Sequence, residues 1–356
     1  MPNRLPLHER HLASGAKLDT VGDWELPLTY GDAADEYVAA RRRAVLVDRG
    51  HYGILEVEGR DRATFLHALL SNEVKALAPG QGCAATLLDV HGKVQVVLYV
   101  WVLDDRILLV VPPGTARKVL EALDHYLFSE KVSLRDASEE TALFLLVGPE
   151  AWALVERLTG VRPPERPWAH VAATLDGAAV RLVTGDGETG GAEIWCATAA
   201  ADTARVWAAL VDAGARPVGL TALESLRIEA GTPRFGHDVD ESVLLPEIPL
   251  ERLVSYTKGC YPGQEVVVRI RDRGHVNRVL TGLVLEGDTV PAPGAEVVAD
   301  GGAVGRVTSA VRSFGLGRPI ALAFVKRQHA KPDTAVSVRV GERTIAARVS
   351  GLPFTR

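Results

Sequence analysis

Hydrophobic positions recur with two different periods along the first 230 residues. Apolar stripes at helical spacing predict helices within GRDRATFLHALL (59–70), GTARKVLEALDHYLF (114–128) and ADTARVWAALVDAG (201–214). Short apolar and β-branched runs predict strands at GILEVEG (53–59), KVQVVLYVWVL (93–103), RILLVVPP (106–113), TALFLLVG (141–148) and AEIWCAT (192–198). Because helices and strands are mixed along this region, we expect lobes of the α/β or α+β class.

The pattern changes near residue 277, where short alternating segments broken by Gly, Pro and Asp begin. These segments are NRVLTGLVLEG (277–287), AEVVADGGAVGRVTSAVRS (295–313), PIALAFVKR (319–327) and AVSVRVGERTIAARVSG (335–351). Such spacing is typical of a small all-β barrel. We therefore predict two regions, residues 1–276 and a barrel over residues 277–356.

Composition and charge exclude several classes of partner. Of the 356 residues 47% are hydrophobic, and the formal net charge is −5, which gives no basic surface for nucleic acid. The longest apolar run, VVLYVWVL (96–103), is too short to cross a bilayer. We expect neither a membrane nor a direct nucleic-acid partner.

The cysteines indicate a reducing compartment. Cys83, Cys196 and Cys260 are odd in number and widely spaced, which fits neither a disulfide framework nor a metal site. The N-terminal stretch MPNRLPLHERHLASG has no continuous apolar core of the secretory type. These features predict a cytoplasmic protein without a bound metal.

One glycine-rich stretch matches the dinucleotide fingerprint GxGxxG. GDGETG (185–190) follows a strand-like run, but the run after it, GAEIWCAT, is a strand rather than a helix. The fingerprint needs a helix there, so that its N-terminus can meet the phosphate. A hairpin loop is the better prediction.

The segment TALESLRIEAG (221–231) predicts a further helix, with Thr221 and Glu224 as a capping box and Gly231 at its end. Arg227 falls on the apolar face of this helix. A buried guanidinium needs an anionic partner. That partner is either an internal carboxylate, Asp238 or Glu241, or a ligand; the sequence leaves both open.

The string KGCYPGQEVVVRIRDRG (258–274) surrounds Cys260 with an unusual set of neighbours. Pro262 and Gly263 are typical of a type II turn. Residues 258–278 contain five Lys or Arg and two Asp or Glu, a surplus of three positive charges. Positive charge and a nearby helix N-terminus both lower a thiol pKa. Cys260 is then either a functional thiol or a buried, inert one.

The same string resembles the signature K-G-C-[FY]-x-G-Q-E-x-x-x-R of the YgfZ family, whose members are similar to the T-protein (aminomethyltransferase) of the glycine cleavage system. Every fixed position matches, through Arg269. The segment from VDRGHYG to ALAPGQ (47–81) and SLRIEAGTPRFGHD (225–238) resemble T-protein elements. GRVTSAVRS, IALAFV and LPF resemble parts of the T-protein barrel.

The resemblance implies an α+β fold of T-protein type: two α+β lobes and a C-terminal β-barrel around a central hole that takes tetrahydrofolate. It implies that Glu229 holds the pterin or a substrate group. Lys258 and nearby arginines, Arg269 and Arg227, would face the glutamyl tail of folate. It also favours a helix after Gly263.

One departure from the T-protein pattern concerns the acidic pair in G-G-x-x-D-D. Val96 and Val97 occupy those positions here. Loss of general acid–base help is worth ~10²–10⁴-fold in rate. We therefore expect that the protein is not a true aminomethyltransferase.

Two functions follow from the resemblance. The first hypothesis is a tetrahydrofolate-binding accessory protein that supports iron–sulfur cluster assembly or repair, and indirectly tRNA modification, through Cys260. Its partners would be iron–sulfur enzymes or assembly factors. The alternative is a folate-dependent C1 transferase, an enzyme like an aminomethyltransferase or a demethylase.

Overall fold

The computed structural model describes residues 1–354. Its helices in chain order are α1 (His8–Ala13), α2 (Ala33–Arg42), α3 (Arg62–Leu69), α4 (Ala116–Asp124), α5 (Ala151–Thr159), α6 (Thr203–Asp212), α7 (Leu220–Glu229) and α8 (Gln264–Arg273). The predicted helical stripes correspond to α3, α4 and α6. A helix does follow Gly263, since α8 begins at the next residue.

The strands of the N-terminal region are β1 (Asn3–Arg4), β2 (Lys17–Val21), β3 (Trp24–Thr29), β4 (Val45–Asp48), β5 (Gly53–Glu58), β6 (Gly82–Leu88), β7 (Val94–Val102), β8 (Arg106–Val111), β9 (Ser133–Asp136), β10 (Thr141–Val147), β11 (His170–Leu175), β12 (Ala178–Thr184), β13 (Glu193–Ala199) and β14 (Arg216–Pro217). Those of the C-terminal region are β15 (Arg278–Leu285), β16 (Glu296–Ala299), β17 (Gly302–Arg312), β18 (Pro319–Lys326), β19 (Ala335–Val340) and β20 (Arg343–Ser350).

Three lobes result from how these strands pair. The first lobe has the sheet β6-β7-β8-β5-β9, with α3 and α4 against one face. The second has the sheet β11-β12-β13-β10-β4-β14, covered by α5 and α6. The third is a closed barrel, β15-β18-β17-β16-β19-β20. The predicted α+β fold with a C-terminal barrel is confirmed.

The three lobes meet around one shared core. It contains Trp101 of β7, Trp195 of β13, Leu226 of α7 and Phe324 of the barrel. Successive side chains of a strand point to opposite faces, so β7 serves two cores at once. Val96 is fully buried in the core of the first lobe, whereas the half-buried Val97 packs against the shared core.

Two expectations about local structure had different outcomes. GDGETG is the hairpin loop between β12 and β13, as predicted. The predicted capping box of Thr221 and Glu224 on α7 is wrong, because the N-cap is Gly219 and no side chain caps the helix. Glu224 instead binds Arg227 and Arg234. Within residues 1–354, no helix combines the length and the apolar character needed to span a bilayer.

Candidate functional site

A small cavity lies where the lobes meet. We call it the central cavity; it measures about 40 Å³ and is lined by Tyr52, Val97, Tyr99, Pro112, Glu188, Arg227, Thr232, Pro233, Arg234 and Phe235. These residues come from the segment after β4, from β7 and β8, from the β12–β13 hairpin (residues 185–192) and from α7 with the loop that follows it. The site therefore depends on elements far apart in sequence.

A buried ion pair crosses this region. Arg49 is 1% exposed, and its Nη2 donates to Glu188 Oε1 at 2.8 Å. Its guanidinium also lies 5.2 Å from the ring centre of Tyr52 and 5.6 Å from that of Trp195. Burial opposes the charge on Arg49, but Glu188 raises its pKa above the ordinary value. Arg49 is thus a fixed cation behind the cavity wall.

Several polar atoms of this cluster lack partners. Glu188 Oε2, Arg49 Nε and Trp195 Nε1 are buried and have no hydrogen-bond partner among the described residues. Buried polar groups are satisfied in most native proteins, and exceptions need an explanation such as a water, an ion or a ligand. Of these three residues Glu188 lines the central cavity, so an acceptor oxygen without a protein partner lies at this site.

A second carboxylate supports Glu188 from behind. Glu193 Oε1 accepts from the backbone N and the hydroxyl of Thr189, both at 2.5 Å, and Oε2 accepts from the backbone N of Glu188 at 3.0 Å. Burial, with Glu188 next in importance, raises the pKa of Glu193 to about 7. A group that titrates near neutral pH therefore holds the hairpin that carries Glu188.

Aromatic side chains form the remaining wall. Tyr99 stacks on Trp168, with ring centres 4.1 Å apart and an angle of 18° between the planes. Tyr52 meets Trp195 edge to face at 5.5 Å. Flat aromatic surfaces beside a few polar atoms are typical of sites for ring-shaped ligands.

The tip of the hairpin is tied to another part of the chain. Arg252 Nε lies 2.6 Å from Asp186 Oδ2, and the backbone oxygen of Arg252 accepts from Asn72. Burial raises the pKa of Asp186, although Arg252 opposes the shift. The side chain of Arg252 is 38% exposed, so this pair is weaker than the one between Arg49 and Glu188.

Arg227, a predicted site residue, lines the central cavity but already has internal partners. Its Nη1 donates to Asp238 Oδ2 at 2.7 Å, and its Nη2 donates to Glu224 at 2.5 Å and to Ser309 at 2.7 Å. Of the two alternatives from the sequence, the structure contains the internal ion pair, with Asp238 rather than Glu241.

Glu229 lies at the junction of α2, α7 and the barrel. Tyr37 and Arg41 donate to its Oε2 at 2.6 and 2.9 Å. Ser225, Ser313 and the backbone N of Gly315 donate to its Oε1 at 2.9, 2.6 and 3.1 Å. Burial opposes ionisation, but the hydrogen bonds from Ser313 and Tyr37 hold the pKa of Glu229 below its ordinary value. Its carboxylate is outside the central cavity and lines a separate pocket of about 580 Å³.

Lys258, Cys260 and Arg269 do not line the central cavity. Lys258 is 7% exposed and donates from Nζ to the carbonyl oxygens of His67 and Leu70, at the end of α3. Burial lowers its pKa to about 8. Cys260 and Arg269 are exposed.

Sequence reasoning missed Glu188, the acidic residue of the cavity lining, and Arg49, its buried partner behind the wall. Arg49 could have been found from the sequence, because it directly follows the apolar run AVLVD, within VDRGHYG, where a charged residue is unexpected. Glu188 was visible in GDGETG but explained only as part of a hairpin. Val97, singled out because an acid is absent there, does face the cavity.

Comparisons with known proteins cover the chain from end to end. The family model described as "GCVT N-terminal domain" matches residues 7–258, and "Glycine cleavage T-protein C-terminal barrel domain" matches residues 278–355. An aminomethyltransferase of Streptomyces avermitilis is 33% identical over 100% of this chain and 98% of its own length. One of Thermus thermophilus is 35% identical over 99% of this chain and 98% of its own length.

A solved structure gives the same result for the fold. The crystal structure of the glycine cleavage system aminomethyltransferase T from Bartonella henselae superposes with a TM-score of 0.91, at 25% identity, covering 100% of this chain and 98% of that one.

These findings correct the identification as a member of the YgfZ family, which is wrong. The similarity to aminomethyltransferases, at 30–35% identity, extends over essentially the whole chain, whereas the KGCYPGQE string is a local motif of eight residues. The first hypothesis, an accessory function in iron–sulfur cluster assembly and tRNA modification, falls with that identification. The cofactor prediction is confirmed, since the family uses tetrahydrofolate. The chain belongs to the glycine cleavage T-protein family, with both its N-terminal domain and its C-terminal barrel.

Proposed function

We propose that this protein is a tetrahydrofolate-dependent one-carbon transferase of the aminomethyltransferase type, with its reaction centre at the central cavity. Full-length similarity to proteins named aminomethyltransferase supports this proposal. The single observation that supports placing the reaction centre here is Glu188 Oε2, a buried carboxylate oxygen without a partner among the described residues, beside an aromatic wall.

The residues of the cavity fit a pterin in chemical type. A pterin ring presents N–H donors along one edge, and Glu188, which lines the cavity, has an acceptor, Oε2, without a partner among the described residues. Tyr52 and Tyr99 provide flat apolar surfaces for such a ring. Tetrahydrofolate supplies, when bound, the nitrogen atoms that carry the one-carbon unit.

The central cavity is too small to hold a folate without a change of shape. At about 40 Å³ it is smaller than the ~300–1,000 Å³ of typical ligand pockets, so side chains must move on binding. We propose that the tip of the β12–β13 hairpin moves while the Arg49–Glu188 pair stays in place, because the tip is held by the pair of Asp186 and Arg252, whose arginine side chain is 38% exposed. Arg252→Gln should then raise the association rate constant of tetrahydrofolate in stopped-flow fluorescence. An unchanged rate constant would argue against this opening.

Proton movement in this protein needs a carboxylate other than the acidic pair of the T-protein pattern. Val96 and Val97 cannot serve, and Glu188 is the acidic residue among those that line the cavity. Glu193 lies behind it, and its Oε2 accepts a hydrogen bond from the backbone N of Glu188. We therefore assign the acid–base role to Glu188 from its position in the cavity, and we assign to Glu193 the task of positioning it.

Of the site residues predicted from the sequence, one lies at the central cavity and the others do not. Arg227 lines the cavity, and its positive charge stays a candidate partner for the carboxylates of folate. Roles for Glu229, Lys258, Arg269 and Cys260 in binding or reaction stay predictions. So does the cytoplasmic location.

The test combines binding and turnover on the same preparations. Tetrahydrofolate is titrated calorimetrically into the wild type, and one-carbon transfer is assayed from an aminomethylated lipoyl carrier protein. We expect saturable binding and turnover, both reduced by Glu188→Gln. The matched control is Glu342→Gln, which changes an exposed acid on the barrel. Binding without turnover would refute the transferase, and absence of binding would refute the site.

A further inference from the structure

One tryptophan occupies a turn position that normally requires glycine. Residues 166–169 form a tight turn, closed by a hydrogen bond from the backbone N of Ala169 to the backbone O of Arg166 at 3.0 Å. Pro167 has the negative φ of every proline, and Trp168 after it has a φ of 62°. This combination is a type II turn, in which the third position favours Gly or Asn. The other non-glycine residues with positive φ in residues 1–354 are all aspartates, so the conformation of Trp168 is strained and must be held by other contacts.

This turn is anchored to both N-terminal lobes. The backbone N of Trp168 donates to the backbone O of Thr184, at the end of β12 in the second lobe, at 2.8 Å. In the first lobe, Gly82 of β6 packs so closely against the turn that a Cβ atom at residue 82 would lie 2.7 Å from the backbone O of Trp168. The backbone N of His170 also donates to the backbone O of Gly80, just before β6, at 2.8 Å. Residue 168 is thus fixed where the two lobes meet, which explains why the strained conformation persists.

The indole of Trp168 supports the aromatic wall of the central cavity from behind. Trp168 is buried and is not among the residues that line the cavity. Tyr99, on which it stacks with ring centres 4.1 Å apart, does line the cavity. Trp195 lies beside both rings, with its ring centre 5.7 Å from that of Tyr99 and 6.5 Å from that of Trp168. Two tryptophans therefore confine the Tyr99 ring, and Trp168 is the one stacked parallel to it.

The same indole reaches the tip of the β12–β13 hairpin. Burial raises the pKa of Asp186, whereas Arg252 and a hydrogen bond from the Trp168 side chain oppose the shift. Asp186 precedes Glu188, the acidic residue of the cavity, by two positions. Burial also raises the pKa of Tyr99, and the charge of Glu188 adds to this effect, so the two cavity side chains act on each other. Trp168 therefore contacts both the aromatic wall and the segment that carries the carboxylate.

We propose that Trp168 is a positioning residue for the one-carbon transfer: by stacking on Tyr99 and binding the hairpin tip, it fixes the aromatic wall relative to Glu188. The strained turn is the backbone conformation that places the indole there. Because Trp168 does not line the cavity, it acts through Tyr99 and Asp186. This inference rests on the proposed function. A displacement of about 1 Å at a reacting centre can lower a rate by about 10²-fold, so a loosened wall should slow turnover more than it weakens binding.

The test compares Trp168→Met, which removes the flat ring, with Trp168→Phe, which keeps a smaller one. The matched control is Trp152→Met, at a half-buried tryptophan of α5 in the same lobe. For each variant shown by circular dichroism to be folded, we measure kcat for transfer from the aminomethylated lipoyl carrier protein and the Kd of tetrahydrofolate by calorimetry. Trp168→Met should lower kcat by about ten-fold or more and change Kd by less than about three-fold. Trp168→Phe should lower kcat by only about two- to three-fold, because part of the stack remains, and the control should match the wild type.

The inference is overturned if Trp168→Met keeps the wild-type kcat, if it loses tetrahydrofolate binding in the same proportion as kcat, or if Trp168→Phe or the control is equally slow. Should Trp168→Met not fold, Trp168→Phe decides alone, and a kcat equal to that of the wild type overturns the inference. In all these cases the wild type still binds and turns over, so the proposed function stands. A wild type without turnover refutes the proposed function, and the positioning role falls with it.

Discussion

Arg49 and Glu188 form a buried ion pair, with Nη2 and Oε1 2.8 Å apart, between the loop after β4 and the β12–β13 hairpin. The two residues are 139 positions apart in the chain. Their side chains are 1% and 13% exposed, so the pair is shielded from water on the arginine side. The pair ties the loop of the hairpin to the loop after β4, and it leaves Glu188 Oε2 without a partner among the described residues.

Removing the arginine should cost considerable stability. Arg49→Met leaves the Glu188 carboxylate buried without its cation, and breaking such a pair costs about 3–5 kcal/mol. Urea unfolding followed by circular dichroism measures the loss. The control is Arg117→Met, which removes the exposed pair with Glu121, and should leave the unfolding midpoint unchanged. Similar midpoints for the two variants would contradict the structural importance of the Arg49 pair.

An acid placed on β7 should act differently at two adjacent positions. Val97→Asp puts a carboxylate into the central cavity, where acid–base help is worth ~10²–10⁴-fold, so we expect a rise in aminomethyl-transfer turnover. Val96→Asp buries the same charge in the core of the first lobe and should destabilise the protein by several kcal/mol. Turnover and unfolding are measured for both. Unchanged turnover in a folded Val97→Asp protein would exclude the missing acid as the limiting factor.

Glu193 should make stability depend on pH. Its pKa in the folded protein, about 7, lies above the ordinary value of 4.5, because burial and Glu188 disfavour its charge. Between these two values the folded state binds more protons than the unfolded state, so stability falls as the pH rises through this window. Glu193→Gln should remove this part of the dependence. Urea midpoints at about pH 5 and pH 7.5 test it, and parallel shifts in wild type and variant would count against it.

Lys258 should act mainly through the carbonyl groups that it satisfies. Lys258→Met leaves the oxygens of His67 and Leu70 without their donor, at a cost of about 1–3 kcal/mol. Burial lowers its pKa to about 8, so the unfolded state binds more protons between that value and 10.5, and stability attributable to this residue rises with pH there. Lys331→Met, at an exposed position, is the matched control for thermal unfolding. Equal melting temperatures would contradict this structural role.

Much of the fold could be predicted from the sequence because periodicity is a local property. The stripe in GTARKVLEALDHYLF marks the buried face of α4, and the strand after GDGETG excluded a dinucleotide-binding turn. The site could not be predicted in the same way, because Arg49, Val97 and Glu188 meet only through the packing of three lobes. Local patterns also failed where a tertiary contact competed: Glu224 was expected to cap α7 but pairs with two arginines. The KGCYPGQE motif misled for the same reason, since it describes one turn and one helix and not the whole chain.

The five hydrogen bonds accepted by Glu229 bear on how the protein could be divided. Two donors, Ser313 and Gly315, belong to the connection between β17 and β18, and the others come from α2 and α7. A fragment ending at residue 276 would lose both barrel donors and expose part of the shared core. Separate expression of the two halves should therefore give an aggregating N-terminal piece. We therefore expect the barrel and the two N-terminal lobes to unfold as one cooperative unit. A chimaera that takes its barrel from a relative would need to keep a donor such as Ser313 opposite Glu229.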